Sequence, residues 1–164
     1  MFPEDVRALA QAVLERARAR GVTLATAESC TGGLVAGALT AISGSSDVVA
    51  GGLVTYSNAA KTALLGVDAA LIAEVGAVSA PVAEAMASGA VQRLGVGLAV
   101  AITGIAGPGG GSAEKPVGLV YFAVAGAGGE VGHRQMRFGD IGRDAVRLAS
   151  VQVALGLLLA RLDG

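Results

Sequence analysis

The sequence predicts a single α/β domain in which a mixed β-sheet carries helices on both faces. The chain has 164 residues, the length of one domain. Hydrophobic residues make up 53% of it and charged residues only 15%, which is enough apolar material for a sizeable core. Segments with strand and helix patterns alternate, and a hairpin signal comes late. With no internal repeat and no linker, residues 1–164 are predicted to form one domain.

Hydrophobic periodicity and turn residues locate the elements. Apolar residues at helical spacing predict a first helix that begins after Pro3 and ends at Gly21. The other predicted elements are strands at 22–27, 48–57, 97–103, 119–125 and 130–138, and helices at 32–42, 69–75, 79–94 and 143–162, with a short helix capped by Asn58. The glycines at 126–129 indicate a hairpin. Residues 104–118 are predicted to be irregular.

Charge and composition exclude several functions. The formal net charge is -1 and no basic run is present, so nucleic-acid binding is not predicted, whereas a small phosphorylated ligand stays open. The acidic start lacks the pattern of a signal peptide, and the longest apolar stretch near the C-terminus, 153–160, is too short for a membrane span. The single cysteine, Cys30, fits a reducing compartment. We expect a cytoplasmic protein without membrane contact, and the apolar surplus is consistent with a homodimer.

Three polar segments follow predicted strands, at 28–33, 55–61 and 103–108. Ligands of open α/β sheets bind at the carboxyl ends of strands. If these strands are parallel neighbours, the three segments converge on one pocket.

Ser29 lies at a strand-to-helix turn, where a hydroxyl can stand clear of the sheet. Thr31, Gly32 and Gly33 follow it, and their backbone N–H groups could bind a phosphate or the oxyanion of an acyl transfer. Spacing alone leaves open whether Ser29 and Thr31 act chemically or only cap the helix.

A nucleophilic serine needs a base. The only histidine, His133, falls in the late hairpin and is better explained as a surface strand residue. A lysine can act as the base when burial lowers its pKa, and Lys61 follows a strand directly. Spacing alone also allows Lys61 to be a solvated helix residue. The local pair Ser112 and Lys115 has dyad spacing, but the glycines before it and Pro116 after it argue against the helix that this spacing needs.

Other motifs are weaker. Cys30 near a helix start is a rival nucleophile, although a small buried hydrophobic residue is the commoner role of such a cysteine. The glycine-rich stretch 107–112 lacks the ending of a P-loop and the spacing of a dinucleotide fingerprint. No cluster of Cys, His, Asp or Glu has metal-ligand spacing, so no metal site is predicted.

Five segments together resemble the CinA carboxy-terminal family. They are 27–33 (AESCTGG), 54–58 (VTYSN), 76–79 (GAVS), 103–108 (TGIAGP) and 110–118 (GGSAEKPVG). Each is weak alone, but five in the family's order span nearly the whole chain. The resemblance implies a three-layer α/β/α sandwich. It also implies hydrolysis of the amide of nicotinamide mononucleotide (NMN) to nicotinate mononucleotide and ammonia, in pyridine nucleotide recycling. Many members carry a further N-terminal domain, and we expect this chain to be the stand-alone form.

The resemblance also implies roles for individual residues. Ser29 would be the nucleophile, Lys61 its base, and Tyr56 a pocket residue beside the nicotinamide ring. The remaining residues expected at the substrate are Thr103, Gly104 and Ile105, against the amide or ribose, and Arg143, for the phosphate at the start of the last helix.

This scheme needs no metal and no cofactor. Two alternatives stay open: a non-catalytic nucleotide-binding module acting in competence or DNA-damage responses, and a cysteine amidase that uses Cys30.

Overall fold

The structure, a computed structural model, describes all residues from 1 to 164, and its elements follow the predicted order. The helices are α1 (Glu4–Arg20), α2 (Leu34–Thr40), α3 (Asn58–Leu65), α4 (Ala69–Val75), α5 (Ala80–Leu94) and α6 (Arg143–Asp163). The strands are β1 (Leu24–Glu28), β2 (Val49–Val54), β3 (Leu98–Gly104), β4 (Leu119–Gly126) and β5 (Val131–Arg137). A 3-10 turn, Ser45–Asp47, precedes β2. Residues 105–118 contain no helix or strand, as predicted.

Two local predictions were wrong, both at the junction of β2 and α3. The strand ends at Val54 and not at residue 57. Ser57, not Asn58, caps α3, because its side chain accepts a hydrogen bond from the N–H of Ala60. Asn58 is the first residue inside the helix.

The five strands form one mixed sheet in the order β2-β1-β3-β4-β5. β1 pairs in parallel with β2 on one side and with β3 on the other. β4 and β5 add antiparallel pairs, and the predicted hairpin joins them. The carboxyl ends of β1, β2 and β3 therefore lie side by side at one edge of the sheet.

Helices cover both faces of the sheet, which gives the three-layer α/β/α sandwich. On one face, α1, α2 and α6 bury an apolar cluster that includes Val13, Leu39 and Leu155. On the other face, α3, α4 and α5 bury a second cluster that includes Leu65 and Met86. β1, β3 and β4 divide their side chains between the two clusters, as the alternation of a β-strand requires.

The close packing of α3 on α5 depends on one glycine. A Cβ at Gly89, in the middle of α5, would collide with the backbone carbonyl of Leu65 at the end of α3. Because no side chain is present at Gly89, the two helices approach each other closely.

The last helix is long and apolar. By length and composition alone, α6 is the one helix that could cross a membrane. In the fold its apolar stripe packs against α1 and the sheet, with Val151, Leu155 and Leu158 fully buried. The buried stripe of α6 thus accounts for part of its apolar character.

Candidate active site

Loops at the carboxyl ends of β1, β2 and β3 surround a pocket of about 250 Å³. All three polar segments noted in the sequence contribute to its wall. The residues that line it are Ser29, Cys30, Tyr56, Gly104, Ile105, Ala106, Gly107, Gly109, Gly110 and Arg143. A larger groove of about 470 Å³ lies between α3 and α4, but no titratable side chain lines it.

Ser29 and Lys61 meet beneath this pocket. The Nζ atom of Lys61 lies 2.9 Å from the Oγ atom of Ser29, and it donates a hydrogen bond to the carbonyl of Thr55 at 2.8 Å. The serine follows β1, and the lysine comes from the first turn of α3. The side chain that the sequence left open as solvated is buried, with Lys61 only 2% exposed.

Burial lowers the pKa of Lys61 because the charged form loses its hydration. The lysine forms no ion pair that would offset this loss. A thiolate at Cys30 would raise the pKa of Lys61, but burial raises the pKa of that thiol to about 12. Cys30 is therefore uncharged at neutral pH and does not offset the lowering of the Lys61 pKa by burial.

A carboxylate inside the protein holds the turn that follows Ser29. Glu28 is fully buried, and its Oε1 atom accepts hydrogen bonds from the hydroxyl of Thr31 at 2.7 Å and the N–H of Val35 at 2.9 Å. Its Oε2 atom accepts from the N–H of Ala36 at 3.0 Å and the hydroxyl of Thr26 at 3.1 Å. Glu28 thus caps α2 from the preceding strand, a task that sequence analysis had left to Ser29 or Thr31.

Arg147 contacts the same turn from α6. Its Nε atom donates to the carbonyl of Cys30 at 3.1 Å, and its Nη2 atom donates to the carbonyl of Thr31 at 3.2 Å. Neither Arg147 nor Glu28 was singled out from the sequence. Glu28 stands directly before Ser29, but nothing in the sequence shows that its side chain turns back under the next helix. Arg147 lies more than a hundred residues away from the turn.

Several backbone N–H groups of the turn have no acceptor in the protein. The N–H of Gly32 donates to the carbonyl of Ser29, whereas those of Cys30, Thr31 and Gly33 donate to no other residue. Thr31 is fully buried and Cys30 is 5% exposed. Buried N–H groups without partners are rare in folded proteins. Of these three residues only Cys30 lines the pocket, so its N–H is the candidate donor to a bound ligand.

Tyr56 and Arg143 stand at the mouth of the pocket. The Nη2 atom of Arg143 donates to the hydroxyl of Tyr56 at 2.8 Å, and its Nη1 atom donates to the carbonyl of Gly107 at 2.9 Å. Arg143 thereby joins the loop after β2 to the loop after β3. Tyr56 is 60% exposed, which leaves its ring accessible.

Not every residue expected at the substrate lines the pocket. Thr103 is buried, and its hydroxyl donates to the carbonyl of Ala77, which ties β3 to the segment before α5. Thr31 turns its hydroxyl to Glu28 and away from the pocket wall. Gly32 and Gly33 have φ values of 59° and 101° and shape the turn without lining the pocket.

The backbone of Ile105 is already committed. Its N–H donates to the carbonyl of Leu119, and its carbonyl accepts from the N–H of Gly118. Ile105 lines the pocket, as Gly104 does, but it has no free N–H for a substrate oxygen.

The other nucleophiles and bases have different partners. The Nζ atom of Lys115 donates to the carbonyl of Val75, so this lysine is tied to the end of α4 and not to the Ser112 hydroxyl. His133 lies on β5, where its Nδ1 atom is 2.7 Å from Glu84 on α5, far from the pocket residues in the sheet order. Only Ser29 and Lys61 combine a hydroxyl with a buried amine.

A family model for the CinA C-terminal domain matches residues 6–162 of the chain. The chain belongs to the CinA C-terminal domain family. A CinA-like protein from Synechococcus sp. is 56% identical over 162 residues, which cover 98% of this chain. A CinA-like protein from Mycolicibacterium vanbaalenii is 60% identical over 144 residues, or 88% of this chain.

Solved structures in the CinA family have the same fold. A crystal structure of the competence/damage inducible protein CihA from Agrobacterium tumefaciens superposes with a TM-score of 0.97 at 53% identity. The match covers 100% of this chain and 99% of that one. The curated CinA-like relatives are longer, since the matched region is 39% of the Synechococcus protein and 34% of the Mycolicibacterium protein.

Proposed function

We propose that this CinA-family chain hydrolyses the carboxamide of NMN to nicotinate mononucleotide and ammonia. The observation that carries the proposal is the 2.9 Å contact between Ser29 Oγ and a buried Lys61 Nζ whose pKa is lowered. A serine beside a lysine whose pKa is lowered is one of the arrangements that activate a hydroxyl for nucleophilic acyl transfer. The choice of NMN rests on the family's motifs, which this chain carries across nearly its whole length.

In the first half of the reaction, Lys61 takes the proton of Ser29 while Oγ bonds to the carboxamide carbon. The carbonyl electron pair moves to oxygen and forms a tetrahedral intermediate. The intermediate collapses when Lys61 returns the proton to the departing nitrogen, and ammonia leaves. In the second half, water attacks the acyl-enzyme, Lys61 takes its proton and gives it to Oγ, and nicotinate mononucleotide is released.

The negative charge of the intermediate needs donors beside Ser29. The N–H of Cys30 meets this need, since Cys30 lines the pocket and an N–H just after the nucleophile is a recurrent oxyanion donor. The N–H of Ile105, which also lines the pocket, already donates to the carbonyl of Leu119 and is not free to bind the oxyanion.

The mouth of the pocket suits a nucleotide. The guanidinium of Arg143 has five N–H donors and uses two of them on Gly107 and Tyr56, so others remain for a phosphate. The exposed ring of Tyr56 offers a surface for the pyridinium ring. A bound pyridinium also disfavours a charged Lys61 nearby, which keeps the base neutral.

The test is ammonia release from NMN and from free nicotinamide, with the parent protein and Ser29→Ala. We expect release from NMN alone, with a loss of at least about 10³-fold in the variant. Release from free nicotinamide at the same rate would remove the need for a nucleotide. NMN binding without ammonia release would instead support the alternative of a nucleotide-binding module.

A further inference from the structure

Arg147 has no place in the dyad, yet it contacts both carbonyls that follow the nucleophile. It approaches closely because residue 32 is a glycine with a φ of 59°, where a Cβ would lie 3.1 Å from the guanidinium Nη2 atom. Glu28 holds the opposite side of the same turn through the hydroxyl of Thr31. The turn is therefore fixed between an anion beneath α2 and a cation on α6.

The hydrogen bond from Arg147 to Cys30 sets the direction of the next N–H group. The only cis peptide bond in the chain is Gly107–Pro108, so the bond between Cys30 and Thr31 is trans. In a trans peptide the C=O and N–H point in opposite directions. Because the Cys30 carbonyl points to Arg147, the N–H of Thr31 points away from it. A charged donor on the carbonyl also polarises the peptide and makes that N–H a stronger donor.

This arrangement explains why a buried N–H can remain unpaired. A buried donor without an acceptor destabilises the fold, and an unrestrained turn would rotate to satisfy it. The two hydrogen bonds from Arg147 prevent this rotation.

We infer that Arg147 is a positioning residue that fixes the turn after Ser29, and with it the Cys30 N–H that would bind the oxyanion at the pocket wall. The guanidinium does not touch the reacting atoms, and it acts through the peptide that it orients. The inference rests on the proposed serine mechanism, but it does not depend on NMN being the substrate.

The experiment compares Arg147→Met and Arg147→Lys with Arg161→Met, a matched control. Arg161 lies on the same helix, pairs with Glu130 at 2.9 Å and is absent from the pocket wall. The first measurement is kcat and KM for NMN. The second is the rate at which a fluorophosphonate modifies Ser29, in which Oγ bonds to phosphorus, Lys61 takes the proton and fluoride leaves. Its phosphoryl oxygen occupies the oxyanion site, so this reading needs no NMN activity.

We expect Arg147→Met to lower kcat and the modification rate by about 10- to 100-fold, with KM changed less than about twofold. Arg147→Lys keeps the charge but loses the fork that reaches two carbonyls, so it should fall between Met and the parent. If Arg147→Met does not fold, the lysine variant carries the comparison.

Rates equal to those of Arg161→Met, or a rise in KM with kcat unchanged, would overturn the inference. Lack of modification at Ser29 in the parent would overturn it as well. If the parent is modified at Ser29 but releases no ammonia from NMN, the substrate assignment fails, and Arg147 is judged by the modification rate alone.

Discussion

Replacing Glu28 by glutamine keeps the size of the side chain and removes half of its capacity to accept hydrogen bonds. The carboxylate accepts four, two from hydroxyls and two from the N–H groups of Val35 and Ala36 at the start of α2. An amide has one oxygen, which can keep one pair of donors. Its NH₂ group faces the other pair, where a hydroxyl can rotate to accept but a backbone N–H cannot.

The magnitude follows from this count. One buried N–H left unpaired costs about 1–3 kcal/mol, and the remaining hydrogen bonds lose their charge assistance. The variant also loses the favourable interaction of a negative charge with a helix start. Glutamine carries no charge, so the variant avoids the cost of burying the Glu28 carboxylate, and this offsets part of the lost stability. We expect Glu28→Gln to lower the free energy of unfolding by about 2–4 kcal/mol, a large share of the 5–15 kcal/mol of a typical domain.

Urea unfolding followed by circular dichroism measures this change, with the slope of the transition unchanged. The matched control is Glu74→Gln on α4, where the glutamate is exposed and has no partner, and which should stay within about 0.5 kcal/mol of the parent. If Glu28→Gln is as stable as Glu74→Gln, the four-donor account of the turn is incorrect.

The remaining predictions concern the base, the cysteine and two glycines. The rate of NMN hydrolysis should rise with pH through a single ionisation whose pKa lies below the ordinary lysine pKa of about 10.4, because only neutral Lys61 accepts the proton. The Lys61→Arg variant should be inactive at every pH. The Cys30→Ala variant should keep kcat within about threefold of the parent, and loss of its activity would favour a cysteine mechanism. Iodoacetamide should not modify Cys30 of the parent protein at neutral pH, because the pKa of this thiol is raised to about 12. Gly89→Ala should lower the free energy of unfolding by more than about 1 kcal/mol, because the added Cβ meets the Leu65 carbonyl. Gly156→Ala, with nothing near its Cβ, should raise the free energy of unfolding by about 0.5–1 kcal/mol. Equal effects of the two variants in thermal unfolding would contradict the packing of α3 on α5.

Much of the fold could be predicted because local signals and tertiary structure agree. Gly21 ends α1 in the left-handed conformation that favours glycine, and the glycines at 126–129 make the hairpin between β4 and β5. The errors fell where two signals compete. Ser57 and Asn58 are both good caps, and only the geometry of α3 selects Ser57.

Prediction of the site was limited by residues that act through packing. Ser29 stands out because it directly follows β1, and Lys61 because it lies in the polar segment after β2. Glu28 is the last residue of β1, but its role as a cap depends on where α2 lies, and that position is set by the apolar cluster beneath α2. In the sequence Arg147 is one of several charged residues on a predicted helix, and only the packing of α6 against the turn shows its role. Cys30 at a helix start suggested a reactive thiol, whereas burial outweighs the helix and raises its pKa.

Ser29 and Lys61 are held in place by different helices of the fold. Ser29 is fixed between β1 and α6, whereas Lys61 is carried by α3, a helix of 8 residues held mainly by α4 and α5. A local opening that lifts α3 from α4 and α5 would separate the amine from the hydroxyl while the rest of the core stays folded. On the proposed mechanism, the rate of hydrolysis therefore depends on how firmly this short helix is packed, and we expect activity to be lost at a lower temperature than the global fold.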